Sequence, residues 1–99
     1  MQVEETRNDD TVQLTVTGRV DTTTAPQLQE KILAAFQKGK HLVVDFAGVD
    51  YISSAGLRAL LLGQKTSVSK GGTMKIRNVK SSVQQVLDMS GFSKILKIE

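Results

Sequence analysis

The sequence predicts one α/β domain on a mixed, mostly parallel sheet, with its elements in the order β-β-α-β-α-β-α-β. Three observations predict it. Two strand-like segments open the chain with only a polar turn between them. Short apolar runs then alternate with segments whose apolar residues recur every three to four positions. Finally, helices lying between strands require crossovers, which make neighbouring strands parallel. Ninety-nine residues suit a single domain, residues 1–99.

The first strand spans Val3–Arg7, and Asn8-Asp9-Asp10 is a turn by composition. Thr11–Thr17 alternates cleanly, with Val12, Leu14 and Val16 on one face, and Gly18 is expected to end it. Thr24 and Gln27 have capping-box spacing, and Pro26 suits a first helical turn, where a missing N–H is cheap. Leu28, Ile32, Ala35 and Phe36 give this helix its apolar stripe, and Lys38 with a left-handed Gly39 is expected to close it.

Leu42-Val43-Val44 is apolar without alternation, as in a central strand covered on both faces, and the strand continues through Asp45-Phe46. The second helix opens near Ser54 and is expected to bury Leu57, Leu60, Leu61 and Val68 before Gly71-Gly72 ends it. Met74 and Ile76 alternate with Lys75 and Arg77 in a fourth strand. Ser81 or Ser82 can open a capping box for a third helix that turns Val83, Val86 and Leu87 inward. Gly91 suits a left-handed C′ position with Phe92 folding back, and Ile95–Ile98 forms the last strand.

Composition removes several function classes. There is no Cys and only one His, His41. A disulfide, a thiolate metal site and a histidine metal cluster are therefore excluded, and no cofactor is implied. No apolar run approaches the roughly 20 residues of a membrane span. The N-terminus lacks the basic start and apolar core of a signal peptide, so a soluble cytoplasmic domain is expected. The net charge of +3 is unevenly spread: residues 1–50 hold eight acids and five bases, residues 51–99 two acids and eight bases. The bases form no run and few aromatics lie among them, which argues against a nucleic-acid surface.

Enzyme signals are weak. His41 sits beside Lys40 at a strand start, where an ordinary surface histidine is the plainer reading. Lys70-Gly71-Gly72-Thr73 is too short for a phosphate loop and reads as helix termination. Asp45 and Asp50 flank the expected end of the third strand, where loop and turn roles are favoured over a cation or aspartyl-phosphate site.

The hydroxyl pair Ser53-Ser54 stands at a helix start, where free N–H groups and the helix dipole favour an anion. One serine can be the N-cap and nothing more; one can instead accept a phosphate. Gly56, with no side chain, is expected to leave the space before the serine open to a partner. Steps of one helical turn from Ser54 pass Arg58, Leu62 and Lys65, a face turned away from the core stripe. Leu62 would stand there as an exposed apolar residue between two cations, either packed against a loop or part of a docking surface centred on Ser54.

Three segments together resemble the STAS domain. They are Gly18-Arg19-Val20-Asp21, the run from Val44-Asp45-Phe46 to Val49-Asp50-Tyr51-Ile52, and Ser53-Ser54-Ala55-Gly56-Leu57-Arg58-Ala59-Leu60-Leu61. More narrowly, they are similar to the bacterial single-domain anti-sigma factor antagonists. The resemblance covers essentially the whole chain. It implies a non-enzymatic regulator that, unphosphorylated, binds an anti-sigma factor and frees a sigma factor to direct transcription. The implied partner is also a serine kinase of the histidine-kinase-like ATPase type, and a serine phosphatase reverses its action. Neither nucleic-acid binding nor membrane insertion is implied.

The implied phosphoacceptor falls on Ser54, and Asp21 matches a loop acid close to it. The partner surface is expected to comprise Asp21, Thr22, Thr23, Ser53, Ser54, Gly56, Arg58, Leu62 and Lys65. Many kinase-regulated members carry Asp just before the acceptor. Here Ser53 stands there and Ala55 replaces a second hydroxyl, so Ser53 is a rival acceptor. A member that is never phosphorylated is a further alternative. Another is a non-signalling STAS subunit of a lipid-transport or stressosome-like assembly that docks through the same surface.

Overall fold

The computed structural model describes all 99 residues. Five strands form one sheet in the order β1-β2-β3-β4-β5: Gln2–Asn8, Thr11–Val20, His41–Ile52, Thr73–Arg77 and Lys97–Ile98. The β1–β2 pair is antiparallel and the other three pairs are parallel. The helices are α1 (Ala25–Lys38), α2 (Ser54–Ser69) and α3 (Ser81–Met89), with a short 3₁₀ turn at Phe92–Lys94. The predicted element order and the mixed, mostly parallel sheet are both present.

Burial alternates along β2 and the first part of β3. Val12, Leu14, Val16, Leu42 and Val44 are fully buried, and Phe46, Met74 and Ile76 join them. They form one core with Leu28, Ile32 and Phe36 of α1, Leu57 and Leu60 of α2, and Val83 and Leu87 of α3. The opposite face carries Gln13, Thr15, Val43 and Arg77, all only half-buried. The helices therefore cover one face, and Leu42-Val43-Val44 is not enclosed on both, as its composition suggests.

β3 is the largest departure from expectation. It runs on past Phe46 to Ile52, because two bulges, opposite Thr15–Thr17 and Gly18–Arg19, each insert an extra β3 residue. A bulge resets the two-residue alternation, so Phe46, Val49 and Ile52 are buried at intervals of three. Gly18 likewise lies inside β2 instead of ending it, at φ +109.

Asp45 and Asp50 are thus strand residues. Asp45 is buried; its carboxylate accepts the Ala47 N–H at 2.9 Å and the Asn78 amide at 3.0 Å, and lies 3.4 Å from Arg77 Nε. Burial pushes this carboxyl up, but the Ala47 and Asn78 hydrogen bonds and the Arg77 charge together outweigh it and hold it below the ordinary Asp value. Exposed Asp50 pairs with Lys80.

The helix ends also differ. Gly39 is extended, not left-handed; a Cβ there would stand 2.6 Å from the Asp10 carbonyl oxygen, so close approach explains the glycine. Neither Ser81 nor Ser82 caps α3, and the Ser82 hydroxyl donates to the Asp50 carbonyl at 3.0 Å. Gly91 is left-handed as expected, at φ +80. Val68 is 70% exposed because Gly63 and Ser67 occupy the buried side of the last turns of α2. The last strand is only Lys97–Ile98, and Ile95 is exposed.

Candidate functional site

The site lies where β2 and β3 run into the starts of α1 and α2. The Ser53 N–H donates to the Val20 carbonyl at 2.8 Å, which holds the two strand ends together. Immediately after Val20, Asp21 folds the chain into a turn. Its Oδ1 accepts the Thr23 hydroxyl at 2.7 Å and the Thr23 and Thr24 N–H groups at 3.0 and 3.1 Å. The Thr23 hydroxyl bond, with backbone donations from Thr24 and Thr23, holds the Asp21 carboxyl below its usual value, against a smaller desolvation effect. Thr24 is the N-cap residue of α1, yet its side chain makes no capping bond there. Its hydroxyl donates back to the Arg19 carbonyl at 2.9 Å, so the expected capping box with Gln27 does not form.

The two serines divide the roles between them. Ser53 is the N-cap of α2, with extended backbone, and its hydroxyl accepts the Gly56 N–H at 3.3 Å. Ser54 is the first helical residue; it is exposed and its hydroxyl has no protein partner. Arg58, one turn on, is exposed and forms no ion pair. Between the two helix starts runs a shallow groove of about 350 Å³ lined by Thr22, Pro26, Glu30, Ala55 and Arg58 among others.

A sequence profile described as the STAS domain matches residues 2–99. The chain belongs to the STAS domain family. It is 26% identical over 98 residues to the anti-sigma-B factor antagonist of Bacillus subtilis, covering 99% of this chain and 90% of that protein. It is 31% identical over 85 residues to the anti-sigma F factor antagonist of Paenibacillus polymyxa, covering 84% of this chain and 73% of that protein. Its fold is also similar to the Bacillus cell fate determinant SpoIIAA, solved unphosphorylated (TM-score 0.83, 20% identity, 99% of this chain and 88% of that one) and phosphorylated (TM-score 0.76, 19% identity, 99% and 91%).

Within this STAS domain, the residues singled out from the sequence fall into three groups. Asp21, Thr22, Thr23, Ser53, Ser54 and Arg58 come together at the two helix starts. Lys65 is exposed further along α2, and Leu62 beside it is half-buried, so it is not the open apolar residue its spacing suggests. Gly56 is buried, and a Cβ there would meet Ile52 Cγ1 at 2.6 Å and Val20 Cγ1 at 2.7 Å. Its small size serves packing of α2 on the strand ends, and it does not open space before the serine.

Sequence reasoning missed one feature of this end of the STAS domain. The second bulge sets Arg19 opposite Tyr51, and the guanidinium stands 4.2 Å from the ring centroid. Tyr51 is 41% exposed, and Arg19 also reaches Asp21 at 3.8 Å. Only the shifted register makes these two residues neighbours, and nothing in the local sequence signals it. No helix is long and apolar enough to cross a membrane.

Proposed function

We propose that this STAS domain is an anti-sigma factor antagonist that docks its partner through the face holding Asp21, Thr22, Thr23, Ser53, Ser54, Arg58 and Lys65. The partner is an anti-sigma factor that is also a serine kinase of the histidine-kinase-like ATPase type. It ends the docking by phosphorylating Ser54, and a serine phosphatase restores it. One observation carries the assignment to Ser54: its hydroxyl is exposed and free, while that of Ser53 is occupied as the helix cap. The names of the relatives supply the partner class.

The geometry suits a switch that works without unfolding. A phosphate adds about −1.5 to −2 charges. On Ser54 that charge lies at the positive end of the α2 dipole, beside N–H groups that no carbonyl of the helix reaches. Arg58, without an ion pair of its own, is one turn away. The fold tolerates the charge, and the penalty falls on the partner surface that must desolvate or repel it. The test is incubation with the cognate anti-sigma kinase and ATP. Mass spectrometry is expected to find one phosphate, on Ser54, and the complex is expected to weaken; so is the complex of Ser54→Asp. A phosphate on Ser53, or a Ser54→Asp variant that binds undiminished, overturns the assignment.

A further inference from the structure

We propose that the free edge of β1 pairs with the same edge of a second copy of this chain, antiparallel and centred on Thr6, to join two sheets into one. β1 is the outer strand at one side of the sheet, while the opposite edge strand has only two residues. Its seven residues pair with β2 without a register shift and contain no proline. All but Val3 are exposed. Such an edge presents a row of unpaired N–H and C=O groups able to take another strand.

Charge and overlap together select the register: centring on Gln2, Val3 or Asn8 would pair at most three strand residues of each copy. In a two-fold antiparallel pair the central residue faces its own copy. Centring on Glu4, Glu5 or Arg7 would set identical charges directly opposite one another, which is destabilising. Centring on Thr6 sets Thr6 against Thr6, and Glu5 of each copy against Arg7 of the other, twice by symmetry. Glu4 then faces Asn8. The Glu5 and Arg7 side chains share the helix side of the sheet, since their β2 partners are buried Leu14 and Val12. Charges pointing inward at an edge normally guard against such pairing. Here both are held by the end of α1: Lys38 Nζ donates to Glu5 Oε2 at 2.7 Å, and Arg7 Nη2 donates to the Lys38 carbonyl at 3.0 Å. Arg7 thereby commits one of its five N–H donors and keeps others for a second carboxylate. Five residues from each copy overlap, so the association is of the weak, transient class.

The chain has no cysteine, so a single introduced thiol reports the register. Thr6→Cys is expected to form a disulfide dimer under mild oxidation at least several-fold faster than Glu4→Cys, because only residue 6 faces its own copy at roughly 5 Å between Cβ atoms. In sedimentation equilibrium, Arg7→Glu is expected to weaken dimerisation about tenfold by turning both cross-pairs repulsive. The exchange of both charges, Glu5→Arg with Arg7→Glu, is expected to restore it. Circular dichroism verifies that each variant is folded. A wild-type chain that stays monomeric to millimolar concentration, or equal crosslinking at positions 4 and 6, overturns the proposal.

Discussion

The Ser53 N–H and the Val20 carbonyl, 2.8 Å apart, join the end of β2 to the start of α2. Val20 leads directly into the Asp21 turn, and Ser53 directly into exposed Ser54. One backbone hydrogen bond between neighbouring parallel strands therefore sets two loop systems side by side. The bond follows directly on the last β2–β3 pair, Val20 with Ile52, and both of those residues are buried, so the core ends of the two strands position both loops.

The division of labour between the two serines makes their alanine variants separable. Ser53→Ala removes the cap of α2 and is expected to lower unfolding stability by about 0.5–2 kcal/mol. Ser54→Ala removes an exposed hydroxyl with no partner and is expected to change it by less than about 0.5 kcal/mol. If Ser54 is the acceptor, as proposed, the order reverses with kinase present: Ser54→Ala is expected to abolish phosphate incorporation and Ser53→Ala to retain it. Chemical denaturation and phosphate transfer on the same two proteins read both effects. Loss of incorporation in Ser53→Ala alone would sink the proposed role of Ser54.

Gly56→Ala sets helix propensity against packing. Alanine is better than glycine in a helix interior by up to about 1 kcal/mol. The new methyl, however, would stand 2.6 and 2.7 Å from Ile52 and Val20, and overpacking of this kind costs about 1–3 kcal/mol. Both neighbours are buried, so neither moves freely. The expected outcome is a net loss of roughly 1 kcal/mol or more in urea unfolding. A stabilised variant would show that α2 shifts to make room.

The contrast between Gly56 and Ser54 shows what the sequence makes legible. Periodicity alone finds the elements and most of the core, because burial on a helix or a half-covered strand leaves a repeating pattern. It fails in β3 beyond Phe46, where two bulges break the alternation and no local residue announces them. It also fails for capping: Thr24, Ser81 and Ser82 have the right spacing, but the Thr24 hydroxyl folds back to the Arg19 carbonyl, the Ser82 hydroxyl goes to distant Asp50, and Ser81 is already the first helical residue after Lys80. The serine pair is legible as a helix start. Which serine caps it depends on the backbone geometry of one residue, and the Arg19–Tyr51 contact depends on a register shift.

Asp45 predicts an acid response of definite sign. Its carboxyl is held below the ordinary value in the folded chain, so the unfolded chain binds a proton more readily. The resulting stabilisation is present above the unfolded value of about 3.9 and is lost as pH falls through the lower, folded value. Asp45→Asn is expected to be less stable at pH 7 and to lose less stability on acidification below about pH 4. The Asp21 carboxyl is shifted in the same direction, so the slope flattens without vanishing. Urea midpoints across that range test this. Parallel acid profiles for variant and wild type would show that Asp45 does not carry the effect.

Asp21 separates geometry from charge at the proposed docking face. Its Oδ1 takes four hydrogen bonds from Thr23 and Thr24, one N–H and one hydroxyl from each, and its Oδ2 faces Arg19 at a loose 3.8 Å. Asp21→Asn keeps an acceptor oxygen for the turn and removes the charge. Asp21→Ala removes both and frees the Thr22–Thr23 segment that borders the groove to Arg58. If the turn's shape is what the partner reads, Asp21→Asn binds the anti-sigma factor within about threefold of wild type, and Asp21→Ala binds about tenfold or more weakly. Titration calorimetry with the cognate partner measures both. Equal losses in the two variants would assign the recognition to the carboxylate charge, and wild-type affinity in Asp21→Ala would place the turn outside the interface.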